Sequence, residues 1–275
     1  MEPAHPFTSK EMVMYKEVTD FTVRCARPLI WHDAKRPWPK RLLGGTCFVL
    51  RFDVGLIGVT ADHVVRAFED AVVRVPTTVC LLRTARLNLA SVIVDRDAEL
   101  DVATFTVTED QLIESKAIAI DCRSEWPPST PDRGRELSVA GFPQELAGVS
   151  PYHNVEFRAF ASLCRVEDVS DRDIITTYEP QRDFRIRSAS EFPVLGANLS
   201  GCSGGPVLMH VLHNGMHRWF AVGLLVEGPR PVSDIEPREF DMYTHRRLDF
   251  VKADGSIKHQ NQGWLPPRPN VTRSK

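Results

Sequence analysis

The chain has 275 residues, 43% of them hydrophobic, and a formal net charge of -2. That length can bury one large core or two small ones. The near-neutral charge argues against a nucleic-acid partner, which would call for a basic excess. No apolar run approaches the roughly 20 residues of a membrane span. The opening Met1-Glu2-Pro3-Ala4-His5-Pro6 lacks the charged-then-apolar pattern of a secretory signal. The expectation is therefore a cytoplasmic protein with no membrane partner.

Residues 1–20 read as a polar lead-in. From Phe21 the chain breaks into short β-type runs divided by turn residues. Thr46–Phe52 and Leu56–Thr60 flank Asp53-Val54-Gly55, a hairpin signal. Ala61–Phe68 is the one short helical candidate. Val72–Val75, Val79–Leu82, Ser91–Val94 and Val102–Val107 continue as strands. The stretch Glu125–Gly134 holds three prolines and a glycine and reads as a linker over 125–135. Strands resume at Glu136–Phe142, Val155–Leu163, Ile174–Tyr178, Pro206–Val211, Trp219–Val226 and Phe240–Thr244, with Asn214-Gly215 as a further hairpin turn. A proline-rich tail follows over 252–275. Many short strands and few helices predict an all-β protein. Its two antiparallel β-barrels would span 21–124 and 136–251, with a cleft between them.

Six cysteines (Cys25, Cys47, Cys80, Cys122, Cys164 and Cys202) are scattered without a C-x-x-C pair and read as free buried thiols. His210, His213 and His217 cluster on one hairpin. Two of them flank its turn and should face solvent, so no metal site is expected.

The run Gly201-Cys202-Ser203-Gly204-Gly205-Pro206 describes an exposed hydroxyl in a tight turn. The N–H groups of Gly201 and Ser203 would converge on one spot beside it, as an oxyanion hole requires. A serine hydroxyl needs a base. His63, in Val59-Thr60-Ala61-Asp62-His63, stands at the start of the helical candidate just after a buried strand. An acid must hold the imidazole tautomer. Asp101 opens the strand Asp101-Val102-Ala103-Thr104-Phe105, whereas Asp95 and Asp97 lie in a polar turn.

Together these segments resemble the chymotrypsin/trypsin-like serine peptidases. Thr60-Ala61-x-His63 resembles the family's histidine motif, Asp101-Val102-Ala103 its aspartate motif and Gly201–Pro206 its serine motif. The order His, Asp, Ser also matches. Gly45-Thr46-x-Phe48 resembles the strand before the histidine, and Ala140-Gly141-Phe142-Pro143 a strand early in the second barrel. The resemblance covers about residues 40–250. It implies a peptidase with His63, Asp101 and Ser203 as catalytic residues, no cofactor, and a protein or peptide substrate. A relative that had lost catalysis would instead be a binding module; keeping all three motifs argues against that.

The departures are informative. Cys202 stands where secreted animal members carry the aspartate that pairs with a newly cleaved N-terminus, and no I-V-G-G start is present. The family's disulfide beside the histidine is missing as well. The pattern resembles the bacterial or intracellular stand-alone branch without a PDZ module. Control by a regulatory protein partner, a ligand or an unformed oxyanion loop is expected, and the resemblance to that branch implies an effector in a stress or phage-defence system. Ala197, Val226, Gly228 and Asp241 fall at the family's substrate-pocket positions. Asp241, in place of a glycine, implies a preference for Arg or Lys at P1, because a buried unpaired carboxylate penalises an apolar guest.

Overall fold

The computed structural model describes residues 8–32, 42–149, 155–179, 183, 185–187, 198–228 and 240–259. Ser9–Cys25 forms a helix, α1, across the region read as lead-in and past residue 20 into the predicted first barrel. Thr8 and Glu11 cap it reciprocally. Its inward face defeats a hydropathy reading because Thr19 and Thr22 share it with Val18 and Cys25. Their hydroxyls are satisfied by Tyr15 O at 2.7 Å and Val18 O at 3.0 Å. The helix docks on the second half: the Thr22 and Ser138 hydroxyls are hydrogen-bonded at 2.7 Å, and Phe21 stacks on Trp219 at 4.3 Å.

The first half contains β1 (Arg27–His32), β2 (Leu42–Phe52), β3 (Gly55–Thr60), α2 (Asp62–Arg74), β4 (Cys80–Leu82), β5 (Ala85–Leu87), α3 (Leu89–Val92), β6 (Ile93–Asp97), β7 (Val102–Val107), α4 (Glu109–Ser115) and β8 (Ile120–Asp121). Val72–Arg74, expected in a strand, instead extends α2. Val64, Val65, Phe68 and Ala71 make its buried stripe at helical spacing, so Val72 and Val73 complete a turn.

The second half contains β9 (Glu136–Gly141), β10 (Gly148–Val149), β11 (Val155–Glu156), β12 (Phe160–Val169), β13 (Asp173–Tyr178), β14 (Arg185–Arg187), β15 (Pro206–His213), β16 (Met216–Glu227) and β17 (Asp241–Arg247). Its strands run β13-β17-β16-β15-β9-β12, and β12 pairs back with β13. This closes a six-stranded antiparallel barrel. The first half runs β5-β4-β1-β2-β3-β7-β6, with β8 added parallel to β2. Among the described residues its ends do not meet, and it forms a half-barrel sheet. The missing wall is made up by packing. Leu208, Ala221 and Leu224 of the second half, with Leu248, Phe250, Val251 and Ile257, share one core with the first sheet. The architecture is all-β, a closed six-stranded barrel beside a half-barrel sheet.

The segment read as a linker and the start of the segment read as a tail both bond to the rest of the protein. In the linker, Trp126 Nε1 donates to Val251 O at 2.8 Å. In the tail, Ile257 is buried and Gly255 O accepts from Thr104 Oγ1 at 2.6 Å. All six cysteines are free and buried. No helix among the described residues is long and apolar enough to cross a membrane.

Candidate active site

His63 is the second residue of α2, so its backbone N–H is one of the amides that no helical carbonyl reaches. Asp101 uses both carboxylate oxygens on this one residue. Oδ1 accepts the His63 N–H at 2.9 Å, and Oδ2 lies 2.7 Å from His63 Nδ1. The second bond makes Nδ1 the protonated nitrogen and leaves Nε2 as the basic one. The ring is 42% exposed and the Asp101 side chain 19%, so the base is open to a substrate while the acid is shielded. Burial pushes the Asp101 carboxyl up. The side-chain hydrogen bond from His63, its charge, its backbone N–H and the Arg246 charge together outweigh burial and hold Asp101 below the usual carboxylate range.

Beside His63, Asp62 is fully buried and is gripped by Arg96 Nε at 2.7 Å and Arg66 Nε at 2.8 Å. This pairing locks the first turn of α2. A Cβ at Gly45 would come within 2.5 Å of Val64, so only glycine lets that turn settle on β2.

Ser203 reaches the same corner through backbone contacts. Its carbonyl accepts from Thr46 N at 2.9 Å. Gly204 has φ +85°, and a Cβ there would lie 2.2 Å from Thr46 O, 2.4 Å from Thr60 Oγ1 and 2.8 Å from Ala61 N. The chain just after Ser203 is therefore seated on the residues just before His63. Among the described residues no hydrogen bond joins Ser203 Oγ to the His63 ring.

The amides of this loop alternate. Cys202 N, Gly204 N and Gly205 N donate to Leu199 O, Leu225 O and Cys202 O at 2.8, 2.7 and 2.9 Å. Gly201 N and Ser203 N, the two donors singled out from sequence, have no acceptor among the described residues. Their directions are set from the far side of each peptide. Ser200 O accepts from Gln144 N at 2.8 Å and Cys202 O from Gly205 N. A trans peptide then points its N–H the opposite way. Gly201 has φ +98°, a conformation that favours glycine.

Cys202 is fully buried over Gly141, where a Cβ would fall 2.7 Å from Cys202 Cβ. Burial pushes its thiol well above the usual cysteine value, so it is neutral packing rather than a nucleophile.

Thr46 was legible only as part of a strand motif, yet it is the central staple. Its Oγ1 donates to Gly201 O at 2.7 Å and accepts from Phe142 N at 3.0 Å, and its carbonyl accepts from Thr60 Oγ1 at 2.7 Å. The rival carboxylates have structural work. Asp95 accepts from Ile257 N at 2.8 Å, and Asp97 accepts from Glu99 N and Leu100 N at 2.9 Å each.

Of the pocket positions, Ala197 lies outside the described residues. Val226 is half-buried, and a Cβ at Gly228 would approach Leu199 Cβ to 3.1 Å. Asp241 is fully buried at the start of β17, on the inward face it shares with Tyr243 and His245. Arg246 and Arg247 on the same strand pair with Asp173 and Asp249. His210 and His217 bond ring to ring at 2.8 Å, and the side chain of His213 lies outside the description. Among the described residues no group of three or more His, Cys, Asp or Glu could hold a metal ion.

No family model and no curated protein matches the chain. Among solved structures, it is similar to a thermostable serine protease from an extremophilic microorganism. The identity is 10%, with 83% of this chain and 93% of that chain covered, at a TM-score of 0.43.

Proposed function

We propose that the protein is a serine endopeptidase. Ser203 Oγ attacks the carbonyl carbon of a peptide bond, and His63 Nε2 takes its proton. His63 then gives that proton to the leaving amine, which departs and leaves an ester on Ser203. Water, deprotonated by His63, hydrolyses the ester and regenerates the hydroxyl. Asp101 holds the imidazole in the required tautomer and stabilises the imidazolium. The Gly201 and Ser203 N–H groups form the oxyanion hole; losing one such donor typically costs about 10²–10³ in rate. No cofactor takes part.

The observation that carries this reading is the convergence at one corner. A histidine is held at both its N–H groups by one carboxylate, and the chain just after Ser203 is seated on Thr46, Thr60 and Ala61, just before that histidine, with the N–H groups of Gly201 and Ser203 left without an acceptor among the described residues. The test is labelling with a fluorophosphonate probe, with Ser203→Ala as control. Ser203-dependent labelling is expected. Its absence in a folded protein, with peptide cleavage also missing, would favour a binding module that has lost catalysis.

Basic P1 residues belong to the same proposal and rest on the resemblance, which puts Asp241 at a substrate-pocket position. Arg and Lys reporter peptides should be cut faster than Ala, Leu or Phe ones, and Asp241→Asn should erase the difference. The resemblance adds a regulatory protein partner, a cytoplasmic location and one dedicated target, as in a stress or phage-defence effector. Weak digestion of casein by the isolated protein is the expected result.

A further inference from the structure

The turn that carries Asp101 is held from both halves of the molecule. From its own half, Asp97 Oδ1 takes the Glu99 and Leu100 N–H groups. From the second half, two arginines take the carbonyls of the same two residues. Arg172 Nη2 donates to Glu99 O and Arg246 Nε to Leu100 O. Arg246, on β17, is only 5% exposed, and its Nη1 pairs with Asp173 at the start of β13. Arg247 N donates to Arg172 O at 3.1 Å, which ties the two arginine-bearing segments together.

Asp101 needs such support. Its φ is +57°, a left-handed conformation that a residue with a side chain keeps only where its surroundings require it. The carbonyl that Arg246 holds belongs to the peptide just before Asp101. A shift there would swing the carboxylate off His63. Arg246 also places a buried positive charge facing that carboxylate, where low dielectric strengthens its effect.

We propose that Arg246, assisted by Arg172, is a positioning residue that clamps the Asp101 turn against His63 from across the two halves and makes the pair depend on their docking. This rests on the serine-peptidase reading for its catalytic consequence, though not for its geometry. The charged and titratable groups facing Asp101 are His63 from α2, Arg246 from β17, Asp173 from β13, Arg172 before it, and Asp97 and Glu99 on its own turn. Asp62 and Arg96 nearby neutralise one another.

The sign follows from charge. Without the Arg246 cation, the His63–Asp101 pair holds a proton more readily. Without Asp173, the cation is uncompensated and the pair holds it less readily. The experiment titrates the ring ¹⁵N signals of the pair in full-length Ser203→Ala protein, and the pH profile of fluorophosphonate labelling in protein that keeps Ser203. Thermal melts confirm folding. Arg246→Gln should raise the apparent midpoint by roughly half a unit to one unit and slow labelling about tenfold. Arg246→Lys keeps the charge, so the midpoint should stay while the rate falls a few-fold. Asp173→Asn, at a partly exposed site, should lower the midpoint and carries the test if Arg246→Gln does not fold. Midpoints unchanged in folded Arg246→Gln and Asp173→Asn protein overturn the clamp, whatever the labelling does. Midpoints that move as stated while unsubstituted protein fails to label Ser203 overturn the peptidase reading and leave the clamp standing.

Discussion

The half that carries His63 and Asp101 and the half that carries Ser203 build their parts of the site in different ways. The first is an open sheet, and it positions its groups with side chains: one carboxylate spans two N–H groups of one histidine. The second is a closed barrel, and it positions its serine with backbone: carbonyl anchors, glycines without a Cβ, and one buried thiol. The consequence is a division of sensitivities. Changes of side-chain charge or hydrogen-bond polarity should damage the first half's contribution, and added Cβ atoms or lost amides the second's.

The sharpest break is Asp101→Asn. An asparagine offers one acceptor and one donor, so it cannot accept from both His63 N–H groups. The imidazole is then released or held in the wrong tautomer. Fluorophosphonate labelling should slow by about 10³–10⁴-fold with the melting temperature little changed. Gly204→Ala is the counterpart in the backbone half. It forces a side chain to φ +85° and into Thr46 O. Urea unfolding should show a loss of about 3 kcal/mol, with labelling lost alongside it.

Gln144→Pro is subtler. Pro143 already has ψ 133°, which suits the residue before a proline. The substitution deletes the N–H that anchors Ser200 O, and hence the direction of Gly201 N, together with the exposed bond from Gln144 Nε2 to Gly44 O at 3.2 Å. Labelling should fall about tenfold, equivalent to about 1.4 kcal/mol, without global destabilisation. The pH response separates the halves in another way. Burial lowers His245, inside the barrel, from 6.5 to about 3. Between those values the unfolded chain takes a proton that the native barrel refuses, so stability falls as pH falls. The depressed Asp101 adds its loss lower still, as pH drops through its folded value. His245→Gln should flatten the first part of that slope in urea titrations at pH 7 and pH 4.5. The smallest effect belongs to Cys202→Ala. It removes one buried sulfur, for about 1 kcal/mol of stability, and labelling at Ser203 should persist.

The groups with local signatures were legible. His63 sits at a strand-to-helix corner, Asp101 opens a strand, and Ser203 lies in a glycine turn; each is a short-range pattern. Val102–Val107 also matches its strand: four of its six residues are apolar, and all but Thr106 are buried. The helix α1 escaped because threonines bonded to their own backbone fill part of its buried face. Arg246 escaped for a different reason: its partner Leu100 lies 146 residues away and contributes only a carbonyl, which has no residue signature.

By itself the sequence determined which side chains could carry chemistry, the order in which they occur, and most strand positions, because hydropathy alternation and turn chemistry act within a few residues. Tertiary structure alone decided that one half closes and the other stays open and borrows its wall. It also decided that Thr46 and Gln144 orient the serine loop and that arginines of one half hold the aspartate of the other. Those outcomes depend on backbone amides and long side chains meeting across the fold, and any residue can supply a backbone amide.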